Sequence, residues 1–165
     1  MDYPWKSAPL IGEPIEVSEG IFWFRLPLPM ALDHVNVYAV DEGDSWTIID
    51  TGFWSKKTIS IWLSIVEEYF SNKPISRVIV THHHPDHVGL AGWFQKELKA
   101  DLWMTRTAWL MARMLRLDYQ KLPTEETVNF WRKAGMDDVT LKDRTSGKPF
   151  NFGDSVYEVI VFNKN

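Results

Sequence analysis

Arg77–Thr81 (RVIVT) is an almost wholly apolar run, and it passes directly into His82-His83-His84-Pro85-Asp86-His87. A short continuous run of this kind reads as a strand buried on both faces. The chain must therefore seat that strand inside a sheet and open its carboxyl end onto a polar loop. Open α/β sheets place their sites at that end.

The flanking pattern agrees. Ile21–Leu26 (IFWFRL) and Val35–Asp41 (VNVYAVD) are β-branched or aromatic runs joined by a proline-rich turn, and Trp46–Asp50 (WTIID) follows a Glu42-Gly43-Asp44 turn. They predict a strand, a strand and its hairpin partner. From about Lys56 to Phe70, Ile61, Ile65 and Tyr69 recur every fourth residue, with Trp62 and Val66 widening the stripe, so a helix is expected. Leu90, Trp93, Phe94 and Leu98 mark a second helix and Asp101–Thr105 a strand. Helices are expected at about Thr107–Leu117 and Glu125–Ala134, the latter opened by Pro123-Thr124 and closed by Gly135. Ser155–Phe162 is strand-like, and Met1–Gly20 reads as an irregular lead-in to one domain over residues 21–165. Strands alternating with helices predict a layered α/β fold.

Composition narrows the function. Eighteen basic against 22 acidic residues give a net charge of −4, which argues against nucleic acid or an anionic membrane as partner. There is no cysteine, hence no disulfide, thiolate metal site or thiol nucleophile. No signal-peptide pattern opens the chain, and no run approaches the roughly 20 apolar residues of a membrane span. A cytoplasmic protein with a small-molecule substrate is the expectation.

Four of the five histidines lie within six residues. His82 and His84 are two apart, so in extended backbone they project to one side and can share an ion. Pro85 holds the turn, and Asp86 and His87 come round it. Imidazole with carboxylate suits zinc, with iron or manganese as alternatives.

Thr81-His82-His83-His84-Pro85-Asp86-His87-Val88-Gly89 resembles the His-x-His-x-Asp-His motif of the metallo-β-lactamase-fold hydrolases, and Ile48-Ile49-Asp50-Thr51-Gly52 resembles that family's first motif. The resemblance covers about Ile21 to Thr105 and implies an αββα sandwich. It implies that His82 and His84 bind one metal, that Asp86 and His87 bind a second, and that Asp50 orients a ligand imidazole from behind. His83 falls at the variable position. The implied chemistry is hydrolysis by a metal-bound hydroxide, since zinc lowers the pKa of a bound water toward about 7. Asp86 is the implied proton acceptor and catalytic residue. A thioester, lactone or other small acyl substrate is expected. A phosphodiesterase or ribonuclease of the same fold, or a metal-binding remnant without turnover, are the alternatives.

The family pattern continues with two more histidines and a bridging aspartate, whereas Val88–Asn165 contains no histidine. Asp154 is the stray carboxylate of that segment, but it does not match the pattern. The chain therefore reads as C-terminally truncated, mainly the first βα half, with an uncovered sheet that invites self-association. His34 reads as a structural histidine, and Arg106, Arg113 and Arg116 as a solvated helix face. Trp103, Trp109, Met111, Met114 and Trp131 read as core packing before acyl pocket.

Overall fold

In this computed structural model, the described residues are 4–70, 72–119, 121–147 and 151–157. Six strands form one mixed sheet: β1 (Ile15–Ser18), β2 (Ile21–Pro27), β3 (His34–Asp41), β4 (Trp46–Ile49), β5 (Ile75–Val80) and β6 (Asp101–Met104), in the spatial order β1-β2-β3-β4-β5-β6. The first four pair antiparallel through short turns, and β4, β5 and β6 are parallel. Parallel neighbours need long crossovers. Here they are α1 (Lys56–Tyr69), between β4 and β5, and α2 (Pro85–Val88) with α3 (Ala91–Glu97), between β5 and β6. Ser55 starts α1 by accepting from Thr58 N at 3.0 Å.

Alternation sends Phe24, Leu26, Val37, Ala39, Ile48, Val78 and Val80 to one face, where all are buried. That face packs against Trp62 and Ile65 of α1 and Trp93 and Phe94 of α3. Among the described residues, the opposite face carries no such helical layer. Register aligns Ile15, Trp23, Tyr38, Ile49, Ile79 and Trp103 in one row across all six strands. Each is half-buried except Trp103, which is half exposed beneath the Arg77 guanidinium, 4.2 Å from its ring centroid. A cavity of about 530 Å³ lies between Trp5–Ala8 and Val17, Trp23 and Tyr38 on this face. The architecture is one sheet with its helical layer, half of the expected sandwich.

Beyond β6 come α4 (Arg106–Leu117), α5 (Glu125–Lys133) and α6 (Asp138–Ser146), then a 3₁₀ turn, Phe152–Ser155. Two local expectations need correction, and one helix has no counterpart among them. The lead-in is not irregular throughout, because Ile15–Ser18 pairs with β2 despite Pro14 and a register shift between Glu16 and Ser18. Helix α6 carries no apolar period, since Leu141 is its one buried residue; its signal is Asp137, whose carboxylate accepts from Val139 N and Thr140 N. Ser155 closes the 3₁₀ turn rather than opening a strand, and residues 158–162 of that expectation lie outside the described residues.

Candidate metal centre

Strands β4 and β5 run side by side in parallel and end together, which brings Asp50 and the histidine loop to one place. Asp50 takes a left-handed conformation, φ 62°, which Asp tolerates better than most residues. Its side chain is thereby turned into the neighbouring loop, 5% exposed. Oδ1 accepts from Thr81 N at 2.8 Å, and Oδ2 lies 2.8 Å from both Thr81 Oγ1 and His87 Nδ1. An ionised carboxylate only accepts, so His87 donates through Nδ1 and Nε2 is free of a proton in the neutral ring.

The loop is locked from behind. Thr51 N and Oγ1 both donate to the His87 carbonyl, at 2.9 and 2.8 Å, and Leu90 N donates to Thr51 Oγ1 at 3.0 Å. Trp62 Nε1 donates to the Thr51 carbonyl at 2.8 Å, tying the same strand end to α1. Pro85 fixes the first turn of α2 and so presents Asp86 and His87 on one short helix.

The structure brings three of the imidazoles together: the His82 ring lies 4.6 Å from that of His84 and 4.0 Å from that of His87, centroid to centroid. His83 stacks edge-on to His84 at 5.1 Å. His87 Nε2 and Asp86 Oδ2 are 3.4 Å apart. Two ligands on one tetrahedral zinc, each bonded at about 2.0–2.1 Å, would be separated by about 3.3 Å. The separation of that pair is compatible with two ligands on one ion. Among the described residues, no three His, Asp or Glu side chains converge closely enough to hold one ion together.

Electrostatics follow from these contacts. Burial pushes the Asp50 pKa up, but hydrogen bonds from His87 and Thr81 outweigh it and hold the carboxyl below its ordinary value. Burial lowers the His87 pKa, yet the hydrogen bond and charge of Asp50, with the charge of Asp86, raise it above its ordinary value. His82 is lowered, first by burial and then by its histidine neighbours. The His87–Asp50 pair therefore contributes stability that is full below about pH 6.5, the unfolded histidine value. It is lost as pH rises through the raised folded value of His87. At the acid end it is lost as pH falls through the depressed folded value of Asp50. In metal-free protein, the melting-temperature gap between wild type and His87→Gln is expected to narrow from pH 6 to pH 9. Zinc affinity is expected to rise over the same range, because the ion must displace that proton. Calorimetric scans with and without zinc read both, and a gap that widens with pH would sink the assignment.

The remaining candidates scatter. His34 Nδ1 lies 2.6 Å from Arg25 Nη2 and 2.5 Å from Asp33 Oδ1, a structural cluster at the start of β3. Arg116 is not part of a solvated face: its guanidinium donates to the Val156 and Tyr157 carbonyls, both at 3.0 Å. Tyr157 N in turn donates to the Gly89 carbonyl at 2.8 Å, so the segment after the 3₁₀ turn braces the histidine loop. Sequence reasoning missed this brace, for which buried Phe152 and Val156 were the available signal. Asp154 is exposed on the 3₁₀ turn. Trp103 lies on the open sheet face, Trp109 packs against the core from α4, and Trp131 lies beneath Arg144, so no single pocket wall collects them.

The profile of the metallo-beta-lactamase superfamily matches residues 30–159. The "Probable metallo-hydrolase YqjP" of Bacillus subtilis is 32% identical over 107 residues, 63% of this chain and 33% of that protein. The "2,4-dinitroanisole O-demethylase subunit alpha" of Nocardioides is 31% identical over 129 residues, 76% of this chain and 34% of that protein. The chain thus spans about a third of the length of these curated relatives. Among solved structures, a beta-lactamase domain protein from Burkholderia ambifaria superposes with a TM-score of 0.70 at 29% identity, covering 90% of this chain and 46% of that one.

Proposed function

The chain belongs to the metallo-beta-lactamase superfamily, and on that footing we propose that it holds zinc through His82, His84, Asp86 and His87 as part of a metal-dependent hydrolase of small acyl substrates. The reading rests above all on the Asp50–His87 hydrogen bond, which leaves His87 Nε2 facing Asp86 Oδ2. Zinc is the ion the superfamily typically binds, and an imidazole–carboxylate donor set suits it. Bound there, it would supply Lewis acidity and lower the pKa of a water. Asp86 and His87 would hold it, Asp50 would fix the His87 ring, and Asp86 would accept the proton of the attacking water.

A thioester or lactone is preferred to a phosphodiester because the chain is acidic overall and lacks a basic stripe. The O-demethylase relative adds an aryl methyl ether to the substrates worth assaying. A second reading, metal binding without turnover, is favoured by the absence of a converging third donor among the described residues. Catalytic zinc sites normally use three protein ligands.

Elemental analysis after gel filtration tests the proposal. Wild type is expected to carry zinc and a His82→Ala/His84→Ala variant only traces; equal content in the two would refute the assignment. Hydrolysis of the substrate panel near background would favour the second reading, and turnover at about 1 s⁻¹ or faster would favour the first. The same column reads self-association, which we propose to run through the open row from Trp23 to Trp103. Elution as a monomer at all loadings would exclude it.

A further inference from the structure

Thr81 stands between Asp50 and the first histidine of the loop. Its Oγ1 is 2.8 Å from Asp50 Oδ2 and 3.0 Å from His82 Nδ1, while its backbone N–H separately donates to Asp50 Oδ1 at 2.8 Å. A hydroxyl has one proton to give. The ionised carboxylate can only accept, so that proton goes to Asp50 Oδ2. Toward His82 the hydroxyl oxygen is left with lone pairs alone, and it accepts. The proton of a neutral His82 ring is then required at Nδ1, and Nε2 presents its lone pair to the loop.

We propose that Thr81 is a positioning residue: its hydroxyl relays the polarity of the Asp50 carboxylate to His82 and so fixes the metal-binding tautomer of that ring. One buried carboxylate then sets two imidazoles, His87 by direct contact and His82 through one intervening hydroxyl. The two legs share Asp50 Oδ2 but leave the backbone bond of Thr81 independent of the hydroxyl. This distinguishes the relay from simple support of the loop. Removing the hydroxyl alone cuts the His82 leg, while the Thr81 N–H and the His87 leg stay in place. The importance of the relay to an ion rests on the metal-site reading above; the tautomer assignment does not.

The experiment is a long-range ¹H–¹⁵N correlation of the imidazoles in metal-free protein near pH 7.5, for wild type, Thr81→Ser and Thr81→Val, with a zinc titration of each. In wild type both His82 and His87 are expected to carry the proton on Nδ1. In Thr81→Val, His82 is expected to move to the Nε2–H form that free imidazole prefers while His87 keeps its signature. Zinc affinity is expected to fall about tenfold, the lower end of the usual cost of losing an outer hydrogen bond. Thr81→Ser is expected to restore both readouts. Should Thr81→Val fold poorly, the wild-type and serine spectra still decide, since Nε2–H at His82 in either overturns the relay. An unchanged His82 tautomer in Thr81→Val would overturn it as well. Loss of the tautomer with no change in zinc affinity would overturn the link to metal binding. Wild type that shows the expected tautomers yet takes up no zinc would uphold the relay and refute the metal-site reading instead.

Discussion

Asp50→Ala is expected to weaken zinc binding by roughly ten- to a hundredfold, the usual cost of removing a partner that orients a ligand imidazole. The substitution removes the acceptor of Thr81 N, Thr81 Oγ1 and His87 Nδ1 together. Hydrogen bonds to a charged group contribute about 1.5–3 kcal/mol each, but Thr81 is exposed and His87 half-buried, so water takes over part of the loss and on the order of 3 kcal/mol of fold stability in all should go with it. The left-handed backbone at this position, φ 62°, adds to the cost for alanine, which lacks the short polar side chain that eases it. Asp50→Asn separates the contributions. It keeps an acceptor and tolerates the backbone, but it gives up the charge, so its stability loss should be the smaller of the two. Competition titration with a chromogenic chelator, beside urea denaturation, reads both quantities. An unchanged zinc titration in Asp50→Ala would leave this carboxylate with a turn-forming role alone.

Gly89→Ala is expected to be the most damaging single change near the loop. Its backbone is ordinary; space is what is missing. A Cβ there would sit 2.4 Å from the carbonyl oxygens of Gly52 and Pro85 and 2.7 Å from Trp54 N. All three are backbone atoms, so no rotamer change relieves the clash. The strand end at Thr51-Gly52 and the histidine loop would have to separate, breaking the Thr51–His87 and Leu90–Thr51 bonds. Forcing extra volume into a packed site commonly costs 1–3 kcal/mol, and about 3 kcal/mol or more is expected here. For a chain of this size that is a fall of roughly 6–12 °C in melting temperature. Zinc uptake should fall with it. A loss below about 0.5 kcal/mol would show that the two loops can part freely.

Strong local patterns made most elements legible. The run RVIVT, the Ile61-Ile65-Tyr69 stripe and the Glu42-Gly43-Asp44 turn each carry a period or a turn chemistry of their own, and each became the expected element within a residue or two, although β5 is fully buried on one face only, with Ile79 half-buried on the open one. Strand β1 and helix α6 lack that redundancy. The first has four residues held by pairing to β2, and the second is a mostly polar helix held by a cap and Leu141. The residues of the candidate site were legible as a cluster because their spacing is local. What supports them was not, because Thr51, Trp62, Gly89 and Arg116 act across gaps of 11 to 68 residues. Such contacts leave no period in a sequence.

The spatial order of the sheet repeats the order of the chain, β1 through β6. Among the described residues, each new strand therefore pairs with the one made just before it. The four antiparallel strands close over short turns, at small entropic cost, and present an edge that β5 and then β6 extend through longer loops. Synthesis from the amino terminus makes Asp50 and the strand before it ahead of His82 to His87. The carboxylate thus precedes in the chain the imidazoles it orients.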